Sequence, residues 1–174
     1  ELTTDYGLAD IVAERYDIGI RLGERLARDM VALPISPPLR MRVVGAPSYF
    51  RQHVAPVHPH DLAAHNCITL RLPTHGGLMP WDFGQDGNEL SIRVSGQWTF
   101  NTMGMTRAAA LAGSGLAWLP EDQVQAALLE GRLQSTLDDW CPHFDGYYAY
   151  YPSRRHVTVA MRTVLDALRG PMVG

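Results

Sequence analysis

This 174-residue chain has little cysteine, no long apolar run and no surplus of positive charge, and each shortage closes off a class of function. Cys67 and Cys141 stand far apart with no paired spacing, so neither a disulfide framework nor a cysteine-based zinc motif is written here. They read as two ordinary thiols of a reducing compartment. No apolar stretch approaches the length of a membrane span, and the first residues show no basic region followed by an apolar one. The expectation is a cytoplasmic protein with no membrane partner. Fifteen Lys and Arg residues stand against eighteen acids, for a net charge of −3, and the basic residues are scattered. Such a surface has no basic field to hold a phosphate backbone, so this segment should not bind DNA by itself. Internal repeats and low-complexity tracts are also missing.

What is present is enough apolar material, 46% of the chain, for one compact domain or two small lobes. The most informative stretch is residues 97–125, QWTFNTMGMTRAAALAGSGLAWLPEDQVQ, which reads as strand, turn, helix, turn, strand and a second helix after a proline. That is one crossover unit of a parallel α/β sheet. Trp98 and Phe100 alternate with polar residues as in a half-buried strand. Asn101 and Thr102 are good N-cap types where the first amides of the following helix lack partners, and such a terminus attracts anions. The helix over 103–112 stops at Gly113.

Elsewhere the pattern predicts a short helix over 8–16, a strand over 17–22 closed by Gly23, and strands over 30–35 and 39–45. A short helix starts at Pro47, Asp61 caps another, and residues 67–72 alternate as a strand. Residues 85–88 form the turn of a hairpin between Trp81-Asp82-Phe83 and the strand 89–94. An amphipathic helix spans 121–130, a strand 133–137, and an aromatic strand 147–151. The closing helix, 158–169, places Val159, Val164, Leu165 and Leu168 on one side.

Several clusters invite a chemical reading. His58, His60, His65 and Cys67 are metal-ligand types within ten residues, yet their spacing matches no recurrent zinc arrangement, and solvated loop histidines are the better reading. His75-Gly76-Gly77 is reminiscent of an esterase oxyanion loop, but the required Gly-x-Ser-x-Gly elbow is missing. Gly113 and Gly115 end a helix instead of opening one, which excludes a dinucleotide fingerprint. Glu121 and Asp122 sit in a first helical turn, where carboxylates suit the macrodipole. No catalytic set, metal or cofactor emerges.

The segments DIVAERYDIGIRLGE (10–24), LRMRVVGAPSYFRQH (39–53), DLAAHNCITLRLPTHGG (61–77), TFNT (99–102), ALAGSGLAWLPEDQV (110–124), GRLQSTLDDWCP (131–142) and YYAYYPSRR (147–155) resemble the effector-binding domain of LysR-type transcriptional regulators. The resemblance covers nearly the whole chain. It implies an α/β fold of two Rossmann-like lobes joined by two crossing strands, of the periplasmic-binding-protein type II kind, with an effector cleft between the lobes. By that analogy residues 1–41 with 150–174 form lobe I, residues 42–149 form lobe II, and the crossings lie near 39–45 and 147–151. The opening ELTTD, without a start Met, implies an N-terminally truncated domain. The helix-turn-helix, its linker helix and the first strand and helix of lobe I would then lie outside this chain.

The resemblance further implies a non-enzymatic sensor of a small anionic or polar metabolite. Its partners would be the effector, a second copy in a homodimer or tetramer, and DNA only through the missing N-terminal domain. Asn101 and Thr102 at the helix start, Arg71 and Thr74 around the loop after CITLRL, and Arg21 at the exit of the DIGIRL strand are the expected effector contacts. A helix N-terminus facing guanidinium groups suits a carboxylate, with bidentate geometry available. Two other classes remain open at this point: a solute-binding protein with the same fold, and a small hydrolase.

Overall fold

A computed structural model of the chain describes residues 1–4, 10–23, 29–72, 76–153 and 157–169. In chain order the first elements are β1 (Gly19–Leu22), β2 (Met30–Pro34), β3 (Leu39–Gly45), the helical turn α1 (Pro47–Phe50), β4 (Thr69–Leu70), β5 (Trp81–Gln85) and β6 (Asn88–Ile92). There follow β7 (Thr99–Phe100), α2 (Met103–Leu111), β8 (Ala117–Pro120), α3 (Glu121–Leu129), β9 (Gln134–Thr136), β10 (His143–Phe144), β11 (Tyr147–Pro152) and α4 (Val159–Arg169). They fall into two compact units: Arg40–Pro142 with the first residues of the chain, and Ala9–Leu39 with His143–Gly174.

The larger unit is organised by β3. Successive residues of a strand point to opposite faces, and here both Val43 and Val44 are completely buried. Val43 belongs to a cluster with Tyr49, Trp81, Phe83 and Leu116, and Val44 to a second with Ile68, Ala117, Leu119 and Val124. A sheet covered on both faces explains why LRMRVVG ends as a continuous apolar run instead of alternating. β8 and β9 both pair antiparallel with β3, in the registers Val44↔Ala117 and Val44↔Ser135. β4 pairs parallel with β7, and a parallel bridge between Cys67 and Leu116 joins it to the approach of β8. Thus β7, α2 and β8 form the expected crossover unit, with β4 lying between its two strands.

Glycines close this unit where side chains do not fit. Gly113 takes φ +78 directly after the α2 cap residue Ala112. A Cβ on Gly115 would lie 2.3 Å from the carbonyl oxygen of Asn66. The β5–β6 hairpin turns at Asp86 and Gly87, both at positive φ (51° and 80°), as a two-residue type I′ turn requires.

In the smaller unit β11 lies between β1 and β2, antiparallel to both. Ala149 at its centre is fully buried against Met161 and Leu165 of α4. The aromatic strand is accommodated opposite Gly19, where a Cβ would collide with the Tyr150 ring.

Three local expectations are corrected. Within the predicted helix 8–16, residues 8 and 9 lie outside the described set, and 11–15 form a turn. Asp10 Oδ1 accepts from the amides of Val12 and Ala13, and Arg15 enters the left-handed region at φ 60. Ile11 is buried while Val12 is half exposed, so one anchored apolar residue does not offset the cost of helix nucleation. The second correction concerns 59–64, a 3₁₀ segment capped by His58, with Asp61 in its third position accepting from the amides of His58 and Val57. These backbone donors hold the Asp61 carboxyl below the usual carboxylate range. On α4, finally, the inward face carries Met161 and Leu165, whereas Val159 is 85% exposed and Val164 48%. The packing partner, Ala149, selects an i, i+4 pair one step away from the face expected.

One partly buried ion network ties β3 to α3 and to the segment 138–140. Arg42 donates through Nε to Glu121 Oε1 at 3.0 Å and pairs through Nη1 with Asp138 Oδ1 at 2.7 Å, while Arg40 Nε approaches Glu121 at 3.4 Å. Burial alone would raise the Glu121 pKa, but the Arg42 hydrogen bond and the two guanidinium charges outweigh it and hold it below its ordinary value. A depressed folded-state pKa contributes stability that is present above the unfolded value, near 4.3, and is lost as pH falls through the folded one. Glu121→Gln should therefore lower unfolding free energy at pH 7 by about 1–2 kcal/mol, between the exposed and buried limits for such pairs. Urea melts at pH 7 and below pH 4 should show the deficit shrinking in acid; a deficit that stays constant with pH refutes the assignment.

Candidate functional site

The polar site foreseen at the turn after TFN lies at the end of β7, in the larger unit. Parallel pairing aligns Thr69 with Thr99 and Leu70 with Phe100, so both chains leave the sheet at the same edge. The two threonine hydroxyls meet at 2.8 Å, and Thr69 Oγ1 also donates to the Trp98 carbonyl at 3.2 Å. Thr102, in extended conformation, is the N-cap of α2: its hydroxyl accepts from Met105 N at 3.4 Å, and its carbonyl accepts from the Thr106 amide and hydroxyl. That leaves the neighbouring Asn101 side chain exposed and uncommitted among the described residues. The amides of Met103 and Gly104 have no intrahelical partner, and the space beside Gly104 is open.

Arg71 stands at the same edge. Its amide donates to the Phe100 carbonyl at 2.7 Å, placing its backbone one residue from Asn101. Its guanidinium donates through Nη1 to the Gly76 carbonyl at 2.6 Å and so ties down the loop that returns through the Arg71–Leu78 bridge. A guanidinium has five N–H donors, and one such bond leaves others for a ligand. Every cation in the chain is an arginine, since no lysine occurs in the sequence. Three of the five expected contact residues, Arg71, Asn101 and Thr102, are thus neighbours at the end of one parallel strand pair. Thr74 lies outside the described residues. Arg21 belongs to the smaller unit, where its Cζ sits 5.8 Å from the centre of the Tyr150 ring.

The histidine cluster has other duties. His65 Nδ1 is 3.0 Å from Tyr49 Oη, which also accepts from Asn66 N. Burial and the nearby His53 keep the His65 pKa below its ordinary value. His58 Nδ1 accepts from the His60 amide. The Cys67 thiol is completely buried, its Sγ within 3.7 Å of the Leu62 carbonyl, and burial pushes its pKa up to about 12. A protonated thiol is neither a nucleophile nor a metal ligand.

Sequence reading did not single out a recess of about 570 Å³ at the far end of α2, lined among others by Ser48, Gln52, His53, Gln97, Trp98 and Ser114. No periodic signal links positions 48, 97 and 114. Only Asn66, a polar residue between a helix end and a strand, marks the place in the sequence.

The edge occupied by Asn101 and Arg71 is where open α/β sheets bind ligands, at the carboxyl ends of parallel strands and the N-terminus of the following helix. The family described as LysR substrate binding domain matches residues 1–172. A putative transcriptional regulator of Pseudomonas aeruginosa is 50% identical across 97% of this chain and 55% of its own length. The HTH-type transcriptional regulator PgrR of Escherichia coli is 42% identical across 97% of this chain and 56% of its own. The regulatory domain of AphB in Vibrio vulnificus superposes with a TM-score of 0.79 at 22% identity, over 97% of this chain and 81% of that one, a likeness of fold alone. The chain spans about half the length of the curated relatives it matches. Its fold is the α/β fold of LysR regulatory domains, of the two-lobed periplasmic-binding-protein type II class. Among the described residues no helix is long and apolar enough to cross a membrane. With the match running over almost its entire length, this chain belongs to the LysR substrate-binding domain family.

Proposed function

We propose that this chain is the effector-sensing part of a LysR-type transcriptional regulator, and that it takes a small anionic or polar metabolite at the N-terminus of α2. The observation that carries this reading is that the uncommitted Asn101 side chain, the α2 amides and the backbone of Arg71, whose guanidinium reaches the Gly76 carbonyl, share one strand edge. A carboxylate there would receive helix amides and a charge-assisted bond from arginine, each stronger than a neutral hydrogen bond. Thr102 and Thr74 complete the proposed contacts on this unit, and Arg21 is a separate candidate on the other.

The ligand is held and released unchanged. It acts by binding one conformation of the domain more tightly than another, which shifts their populations by the difference in affinity. In the whole regulator that shift would pass through a homodimer or tetramer to a DNA-binding segment outside this chain, in the cytoplasm. Support for these partners comes from the family and from the names of the relatives, two of which are transcriptional regulators. The same similarity favours a regulator over an exported solute-binding protein or a hydrolase.

Two variants separate binding from folding. A thermal-shift screen of small carboxylates against the full chain should yield a stabilising ligand, and Asn101→Ala combined with Arg71→Ala should weaken its affinity by about 10- to 100-fold, the loss of one to two hydrogen bonds that involve charge. Unchanged affinity in calorimetry removes both residues from the site. Thr102→Ala, by contrast, should lower stability by about 0.5–1 kcal/mol through loss of the α2 cap, at the weak end of the usual range because the bond is long. A melting temperature equal to that of the parent would show that the cap contributes nothing.

A further inference from the structure

We propose that the recess at the C-terminal end of α2 is a second ligand site, built for a neutral polyhydroxylated ring such as a pyranose. It lies on the larger unit alone, at the opposite end of a nine-residue helix from Asn101, about 14 Å away at 1.5 Å per residue. Its ligand chemistry is independent of the anion proposed above.

Three observations point to this class. First, the lining is polar yet free of Asp, Glu, Lys and Arg. His65, behind it, is kept neutral by burial and by His53, and burial raises the Tyr49 phenol above its ordinary value, so that group stays protonated. Among the described residues, no carboxylate, guanidinium or ammonium side chain lines the recess for an ion to pair with. Secondly, the side chains of Ser48, Gln52, Gln97 and Ser114 have no hydrogen-bond partner among the described residues. Each hydroxyl or amide both donates and accepts, matching the hydroxyl groups of a sugar, which do the same. Thirdly, aromatic faces are supplied singly. Trp98 is half exposed and stacks on Phe100 at 6.0 Å with its ring within 3° of parallel, while His53 stacks on Tyr49 at 4.2 Å. The His53 ring has one face against Tyr49, and the half-exposed Trp98 ring runs parallel to Phe100 without a close stacking partner among the described residues. A flat nucleobase is best held in a slot between two faces; a puckered ring seats its C–H groups on one.

The recess is also preorganised. Asn66 ties three of its walls together: its amide N–H donates to Tyr49 Oη at 3.2 Å, its Oδ1 accepts from Gln97 N at 2.8 Å, and its Nδ2 donates to the Ser114 carbonyl. The close approach of Gly113 to Ser48, where a Cβ would lie 2.5 Å from the hydroxyl oxygen, fixes a fourth contact. The main chain that carries the lining residues is thereby fixed before a ligand binds.

The test is saturation-transfer NMR and calorimetry on the full chain with methyl β-D-glucopyranoside and cellobiose, with acetate and guanidinium chloride as charged controls. Saturable sugar binding is expected with a dissociation constant on the order of 1–10 mM, weakened about tenfold by Trp98→Ala and by the pair Gln97→Ala with Ser114→Ala. Asn101→Ala should leave it unchanged, so failure here and failure of the carboxylate site are read separately. The variants replace exposed or partly exposed side chains, and circular dichroism verifies that they fold. No saturable signal up to about 50 mM sugar, tighter binding of either ion to the chain carrying Asn101→Ala with Arg71→Ala, or equal sugar affinity in parent and Trp98→Ala overturns the proposal.

Discussion

The larger unit depends on its sheet being buried on both faces. Val43 and Val44 are adjacent in sequence, fully buried and members of different clusters. With apolar side chains above and below β3, its backbone polar groups pair with neighbouring strands instead of water. Unpaired amides, carbonyls and polar side chains are thereby pushed to the strand ends and to the two ends of α2. Both candidate sites follow from that exclusion, and neither needs a special motif.

The two ends of α2 then differ in kind. At its start the amides are unspent, the Asn101 side chain is exposed, and the nearby cation is an arginine, so the local field favours an anion. At its end the polypeptide turns on Gly113 and Gly115 so tightly that the Asn66 peptide packs directly against it. There the hydrogen bonds of Asn66 run to uncharged groups, burial raises the pKa of the Tyr49 phenol, and burial with the nearby His53 lowers that of His65. One helix thus has an arginine beside its first turn and uncharged hydrogen-bonding partners around Asn66 beside its last.

Much of this was legible in the sequence. Asn101 and Thr102 before an Ala-rich helix, Gly113 after it and Pro120 before α3 define the crossover unit, because caps and stops are local chemistry. The Asp86-Gly87 hairpin was legible for the same reason. What failed was decided by contacts between segments distant in sequence. The segment 11–15 has apolar spacing but only Ile11 finds a core, and α4 turned Met161 inward because of Ala149, which no pattern inside the helix encodes. At the candidate site, Asn101 and Arg71 were readable as types, but that Thr102 and not Asn101 forms the cap was set by the extended geometry at 102. The recess was invisible, since it gathers residues from 48 to 114 through one asparagine side chain.

That asparagine also bears on how the larger unit takes up a displacement. Asn66 sits just before the bridge at Cys67 that joins β4 to the approach of β8, and β4 continues to Arg71 at the anion-favouring edge. The stretch 66–71 around β4 therefore carries a recess-forming residue at one end and a proposed ligand contact at the other, with Ile68, Thr69 and Leu70 buried between them. A buried, close-packed strand transmits displacement instead of absorbing it, because a core at crystal-like density has no slack to take up a shift. Any movement of Arg71 toward a bound carboxylate is thus resisted by the packing around residues 68–70. A displacement of residue 71 would be borne by the packed residues 68–70 and not by a hinge inside β4.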